Sequence, residues 1–158
     1  MNAFQTPMQP WPGLAPYSHT IELRRSGLTI YYYDSSSGAG APALLIHGLG
    51  DEADTWRHIF PALASQRRLI APDLPGFGRS AKPRLAYSVP FYVKTILELL
   101  DSLDIQRITL IGHSLGAVIA QTIALAHPER LERLVLISGG LAARSQKLDL
   151  VAGFAGIE

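Results

Sequence analysis

Arg107-Ile-Thr-Leu-Ile-Gly-His-Ser-Leu-Gly-Ala-Val-Ile-Ala-Gln121 decides the fold, because a buried strand runs into a helix within it through a single serine. Ile108 to Ile111 is a short apolar run of the kind a strand covered on both faces needs, and Leu115 to His127 reads as a helix stopped by Pro128. Ser114 sits at the junction. Gly112 and Gly116 flank it, which lets the backbone turn sharply and lets strand and helix approach closely. Such a turn holds the hydroxyl out at the carboxyl edge of a sheet. A serine before a helix also serves as a simple N-cap, so the pattern acquires chemical meaning only from its setting between a buried strand and a helix.

Outward from this stretch, the upstream chain alternates strands with helices. His19 to Leu23 and Leu28 to Tyr33 read as an antiparallel hairpin joined through Arg24-Arg-Ser-Gly27. Ala43 to Ile46 is a continuous apolar run suited to a buried parallel strand, and it ends at His47-Gly-Leu-Gly50. A helix is predicted over Trp56 to Ala64, then a strand over Arg68 to Ala71 ended by Pro72. Asp73-Leu-Pro-Gly-Phe-Gly-Arg-Ser80 is a turn-rich loop. Ser88 caps a helix to about Leu103 whose apolar face is Val89, Val93, Ile96, Leu97, Leu100 and Leu103. Leu134 to Ile137 is a sixth strand, left through Ser138-Gly-Gly140. The order implies an α/β protein with a mostly parallel sheet and helices on both faces. Ligands in such sheets bind beyond the carboxyl ends of the strands, where His47, Asp73, Ser114 and Ser138 fall.

Composition bounds the rest. The 158 residues are 47% hydrophobic and 17% charged, which is the make-up of one globular domain with a substantial core. A formal charge of +1 from interspersed charges offers no basic face for nucleic acid or an anionic membrane. No cysteine is present, which excludes disulfides and thiolate chemistry and fits a cytoplasmic protein. No uninterrupted apolar run reaches the length of a membrane span. Residues 1–18, with four prolines, read as a flexible arm without the parts of a secretory signal, residues 19–140 as the core, and residues 141–158 as the start of a cap or a disordered tail.

The chemistry follows from what Ser114 requires: a base, a group to orient that base, and two donors for the oxyanion formed when it attacks a carbonyl. The N–H of Leu115, at a helix start, is one donor. The N–H of Leu49, in a loop that Gly48 and Gly50 let approach, is the other. The five histidines are His19, His47, His58, His113 and His127, and none follows the elbow on a loop at the strand ends. His113 should point away from the serine. His47 reads as a structural hydrogen-bonding residue of the oxyanion loop, with general base as the alternative. Asp73 reads as a backbone cap, with triad acid as its alternative. No spacing of histidines and carboxylates suits a metal, and no cofactor is implied.

In this order, His47-Gly-Leu-Gly50, Asp73-Leu-Pro-Gly-Phe-Gly-Arg-Ser80 and Gly112-His-Ser-Leu-Gly116 resemble the α/β-hydrolase superfamily, in particular its serine esterase and lipase-like branch. The resemblance spans about Thr20 to Gly140, the first six strands of the family's eight. It implies Ser114 as nucleophile, Leu49 and Leu115 as oxyanion donors, and His47, Gly48, Gly112, His113 and Gly116 as structural neighbours. Serine rather than aspartate at the elbow argues against the dehalogenase and epoxide hydrolase branches. In the family the acid follows strand seven and the histidine strand eight. The chain therefore reads as an N-terminal portion lacking strands seven and eight, nearly inactive alone, acting with them on a small ester-type substrate. A non-catalytic interaction module is the alternative. An apolar sixth strand at the edge would also invite self-association.

Overall fold

The computed structural model describes residues 8–139. Six strands, β1 (Ser18–Glu22), β2 (Thr29–Asp34), β3 (Ala43–Ile46), β4 (Leu69–Pro72), β5 (Ile108–His113) and β6 (Leu131–Ile137), form one sheet in the order β1-β2-β4-β3-β5-β6. β1 and β2 form the expected antiparallel hairpin, and β2 joins β4 antiparallel. The β4–β3, β3–β5 and β5–β6 pairs are parallel. Along the chain α1 (Phe60–Ala64) joins β3 to β4, α2 (Val89–Ser102) joins β4 to β5 and α3 (Leu115–Ala126) joins β5 to β6.

Strand side chains alternate between two apolar layers, as the two-residue period requires. Leu44, Ile46, Ile70, Ile108 and Leu110 pack with Val93, Ile96 and Leu100 of α2 and Ile119 and Ile123 of α3. Ala43, Leu45, Leu69 and Ala71 face the other way, against Tyr33, Trp56, Phe60 and Ala64. Helices therefore cover both faces, as the uninterrupted apolar strands predict. The Ser88 hydroxyl caps α2 by accepting from the Phe91 N–H at 3.3 Å.

Two local expectations need correction. The helix expected over 56–64 is split into a 3₁₀ turn, Ala53–Trp56, and the short α1. Pro61 explains the break: it has no N–H to donate back to residue 57, so the helical ladder cannot run through it. The arm expected over residues 1–18 is anchored on the fold at Leu14, with its neighbours from Trp11 to Pro16 exposed. Leu14 is fully buried, a 3₁₀ turn spans Ala15–Tyr17, and the Trp11 N–H donates to the Tyr33 hydroxyl at 3.2 Å. Leu14 fills the layer that holds Tyr33 and Phe60, so burial outweighs the extended preference of a proline-rich segment. Residues 1–7, Gly140 and the expected tail at 141–158 lie outside the described residues.

The α2 helix also does something its apolar stripe does not announce. Glu98 is buried, and its Oε1 accepts from the N–H groups of Arg25 and Ser26 at 2.6 and 3.1 Å, which ties the β1–β2 turn to the helix. At the far side of the described sheet β6 is the edge strand, with Val135 and Ile137 exposed.

Candidate active site

The turn between β5 and α3 holds Ser114 at φ 52°, ψ −114°, a region a side chain occupies only under strain. Backbone hydrogen bonds hold it there: the Ser114 N–H donates to Ile137 O at 2.9 Å, and Ser114 O accepts from Ala117 and Val118 at 3.0 and 3.2 Å. Both flanking glycines are required by contact. A Cβ on Gly112 would lie 2.3 Å from Gly116 O, and one on Gly116 would lie 2.1 Å from Ile46 O. The elbow is thereby pressed against its own strand and against β3. Gly139, which the sequence reading did not single out, serves in the same way: a Cβ there would lie 2.7 Å from Ser114 O.

Pairing of β3 with β5, with Ile46 opposite Gly112, brings the His47-Gly-Leu-Gly50 loop level with the serine. A Cβ on Gly48 would lie 3.3 Å from Ser114 Cβ and 3.1 Å from His113 Nδ1, so this loop packs tightly on the elbow and a larger residue would have to push a side chain aside by a few tenths of an ångström. The His113 ring, expected to point away from the serine, lies near Gly48 of the loop after β3. Leu49 follows at the exposed tip, and Gly50 turns the chain at φ 75°. Neither the Leu49 nor the Leu115 N–H donates to a protein acceptor among the described residues. Leu115 directly follows Ser114 at the N-terminus of α3, where the dipole favours negative charge, and Leu49 belongs to the loop after β3.

His47 is fully buried between two backbone groups. Its Nδ1 is 2.7 Å from Gly48 O, and its Nε2 accepts from the Leu74 N–H at 2.9 Å. The first must donate and the second accept, which requires the neutral imidazole with its proton on Nδ1. Burial pushes its pKa below the usual histidine value, against the opposing pull of the Gly48 carbonyl and Asp73. With both nitrogens committed it has no lone pair for Ser114, and its role is the structural one.

Asp73 is likewise a cap. Fully buried, it accepts from the Ala53 N–H at 2.7 Å on one oxygen and from the Arg79 N–H at 2.7 Å on the other. Arg79 adds Nε to Asp73 at 2.8 Å, Nη2 to both Asp73 and Asp54 at 3.0 and 2.9 Å, and Nη1 to the Tyr33 hydroxyl at 2.8 Å. The Tyr33 hydroxyl in turn donates to Asp54 at 2.5 Å. Burial alone would lower the Arg79 pKa, and hydrogen bonds and charge from Asp73 and Asp54 more than reverse it. This network was not read from the sequence. A basic residue six positions after Asp73 in a glycine-rich loop was its one visible signal.

The Ser114 hydroxyl has no hydrogen-bond partner among the described residues, and no set of three or more histidines and carboxylates there is arranged to hold a metal. Two surface hollows of about 430 and 420 Å³ lie by the β1–β2 turn and α2, and neither is lined by Ser114 or by His47 to Gly50. No described helix is long and apolar enough to cross a membrane.

Comparison with known proteins agrees with this fold. The family model described as alpha/beta hydrolase fold matches residues 42–157. An uncharacterized protein of Mycobacterium tuberculosis is 46% identical over 104 residues, covering 66% of this chain and 30% of its own. A 2-hydroxymuconate semialdehyde hydrolase of a Pseudomonas species is 40% identical over 139 residues, covering 84% of this chain and 48% of its own. The crystal structure of a meta-cleavage product hydrolase from Pseudomonas fluorescens superposes with a TM-score of 0.67 at 35% identity, covering 73% of this chain and 43% of that one. The chain spans less than half the length of these relatives.

Proposed function

Since the chain belongs to the α/β-hydrolase fold family, we propose that it carries the nucleophile and the oxyanion site of a serine hydrolase acting on a carboxylic ester or related carbonyl compound. Ser114 Oγ attacks the carbonyl carbon, and its proton passes to a base outside the described residues. The carbonyl oxygen, now negative, lies against the N–H groups of Leu49 and Leu115. Collapse of this intermediate expels the leaving group and forms the acyl-enzyme, which water then hydrolyses through a second such intermediate. The observation that carries the reading is the strained Ser114 backbone set beside Gly48. Strain of that kind persists only where the surrounding structure enforces it. Similarity to hydrolases of carbonyl compounds supports it, and the oxygen nucleophile of a serine suits an acyl intermediate.

A non-catalytic module is the second reading, favoured by one observation: no described histidine is hydrogen-bonded to Ser114. Removing the base from such a system costs on the order of a millionfold in turnover, so turnover by this chain is a poor discriminator. Covalent capture is better. A fluorophosphonate probe should label the chain slowly at Ser114, and Ser114→Ala should abolish that labelling. Equal labelling of both chains, or none of either after prolonged exposure, would favour the module.

A further inference from the structure

We infer that Arg79 is a positioning residue for the Leu49 amide, acting through two buried carboxylates; this rests on the acyl-transfer reading above. The segment Gly48 to Glu52 has little structure of its own, since its one internal backbone bond, Asp51 N–H to Gly48 O, is 3.4 Å long. Its course is set at its ends. At the start, His47 Nε2 accepts from Leu74 of the loop after β4. At the finish, the Ala53 N–H donates to Asp73 of that same loop. Both anchors belong to the segment that ends in Arg79, so the position of Leu49 depends on how firmly that segment holds.

Arg79 decides the second anchor. One of its nitrogens, Nη2, bonds Asp73 and Asp54 together, at 3.0 and 2.9 Å, and Asp54 belongs to the 3₁₀ turn that begins at Ala53. The guanidinium is 7% exposed and the two carboxylates 0% and 14%, so water screens this cluster poorly. It also stacks on Tyr31, with its centre 4.3 Å from the ring. Without the guanidinium, two negative groups would face each other in a buried space. The turn carrying Asp54 and Ala53 would then move off Asp73, which loosens the anchor. A lysine cannot restore it, since one ammonium cannot reproduce three directed N–H groups on two carboxylates and a backbone N–H geometry built around them.

The test uses the whole chain and two independent readouts. Amide hydrogen exchange should rise at least tenfold at the Ala53 N–H, the group held by Asp73, in both Arg79→Met and Arg79→Lys, while amides of α2 and α3 keep their protection. In the double variant Arg79→Met with Asp54→Asn, which removes one of the opposed charges, part of the protection should return. Fluorophosphonate labelling of Ser114 should fall about 100-fold in Arg79→Met, the effect of shifting a reacting geometry by about 1 Å. Unchanged exchange at Ala53 in either folded variant overturns the inference. So does a uniform rise over the whole chain without recovery in the double variant, which marks Arg79 as a fold-stabilising residue only. Should Arg79→Met fail to fold, Arg79→Lys carries the same comparison. Absence of labelling in the unsubstituted chain would instead count against the hydrolase reading, and the exchange result stands apart from it.

Discussion

Exchanging Ser114 for Gly isolates the strain of the elbow from its chemistry. At φ 52°, ψ −114° a residue with a Cβ sits in a sparsely populated region at a cost of about 1–3 kcal/mol. Ser114→Ala is the proper reference, because it keeps the Cβ and the strain and removes only a hydroxyl with no protein partner among the described residues. Going on from Ala to Gly relieves the strain but frees the unfolded chain, which costs about 0.4–1 kcal/mol. The Ser114→Gly chain should therefore be more stable than Ser114→Ala by about 1 kcal/mol, the middle of the range left by those opposing figures. Urea unfolding followed by circular dichroism reads this as a rise in midpoint of about 0.5 M, taking a slope of about 2 kcal/mol per molar. The sign matters more than the size. At an ordinary helical position the same Ala-to-Gly step lowers stability by about 1 kcal/mol, so a Ser114→Gly chain that unfolds before Ser114→Ala would refute the claim that the elbow is strained.

Two further outcomes test the surrounding supports. Gly116→Ala puts a methyl group 2.1 Å from Ile46 O, a backbone atom of β3 that cannot move aside, and should destabilise the chain by about 3 kcal/mol in the same urea assay; a loss near zero would mean that helix α3 does not press on β3. His47 has a folded pKa lowered by burial, so the unfolded chain binds its proton first as pH falls. The stability that depends on the neutral ring is fully present above the unfolded value near 6.5 and is lost below it, toward the folded value, at about 1.4 kcal/mol per pH unit. His47→Gln should flatten that slope when unfolding free energy is measured from pH 7 downward, and an unaltered slope would assign it to another group.

The order of elements, the parallel character of the sheet and the elbow were legible in the residues themselves, because each rests on local physics. Ala43 to Ile46 and Ile108 to Ile111 are apolar without alternation, as strands covered on both faces must be, and they are β3 and the body of β5. Gly112 and Gly116 mark close backbone approaches that no side chain tolerates, and Gly48 a tight one, so their spacing around Ser114 carried geometric content. Leu14 was misread because a proline-rich segment shows no periodicity, and only the Tyr33 and Phe60 surfaces across the fold reveal that it has a place to be buried. The α1 break at Pro61 could have been taken from the sequence, since a proline inside a helix removes a donor wherever it stands.

His47 and Asp73 are different in kind. Turn chemistry and position favour a structural role for both, but the residues alone cannot name the partners that make it so. Those partners are groups 20 to 27 residues away in sequence, Ala53 N–H for Asp73 and Leu74 N–H for His47, which occupy the lone pairs that catalysis would need. The Arg79 network is the same case: Asp54, Tyr33 and Asp73 come from three segments, and only the folded sheet brings their charges and hydroxyl within hydrogen-bond distance. Local conformation is written in short-range sterics and period, whereas the role of a polar side chain is decided by which distant backbone group folding sets against it.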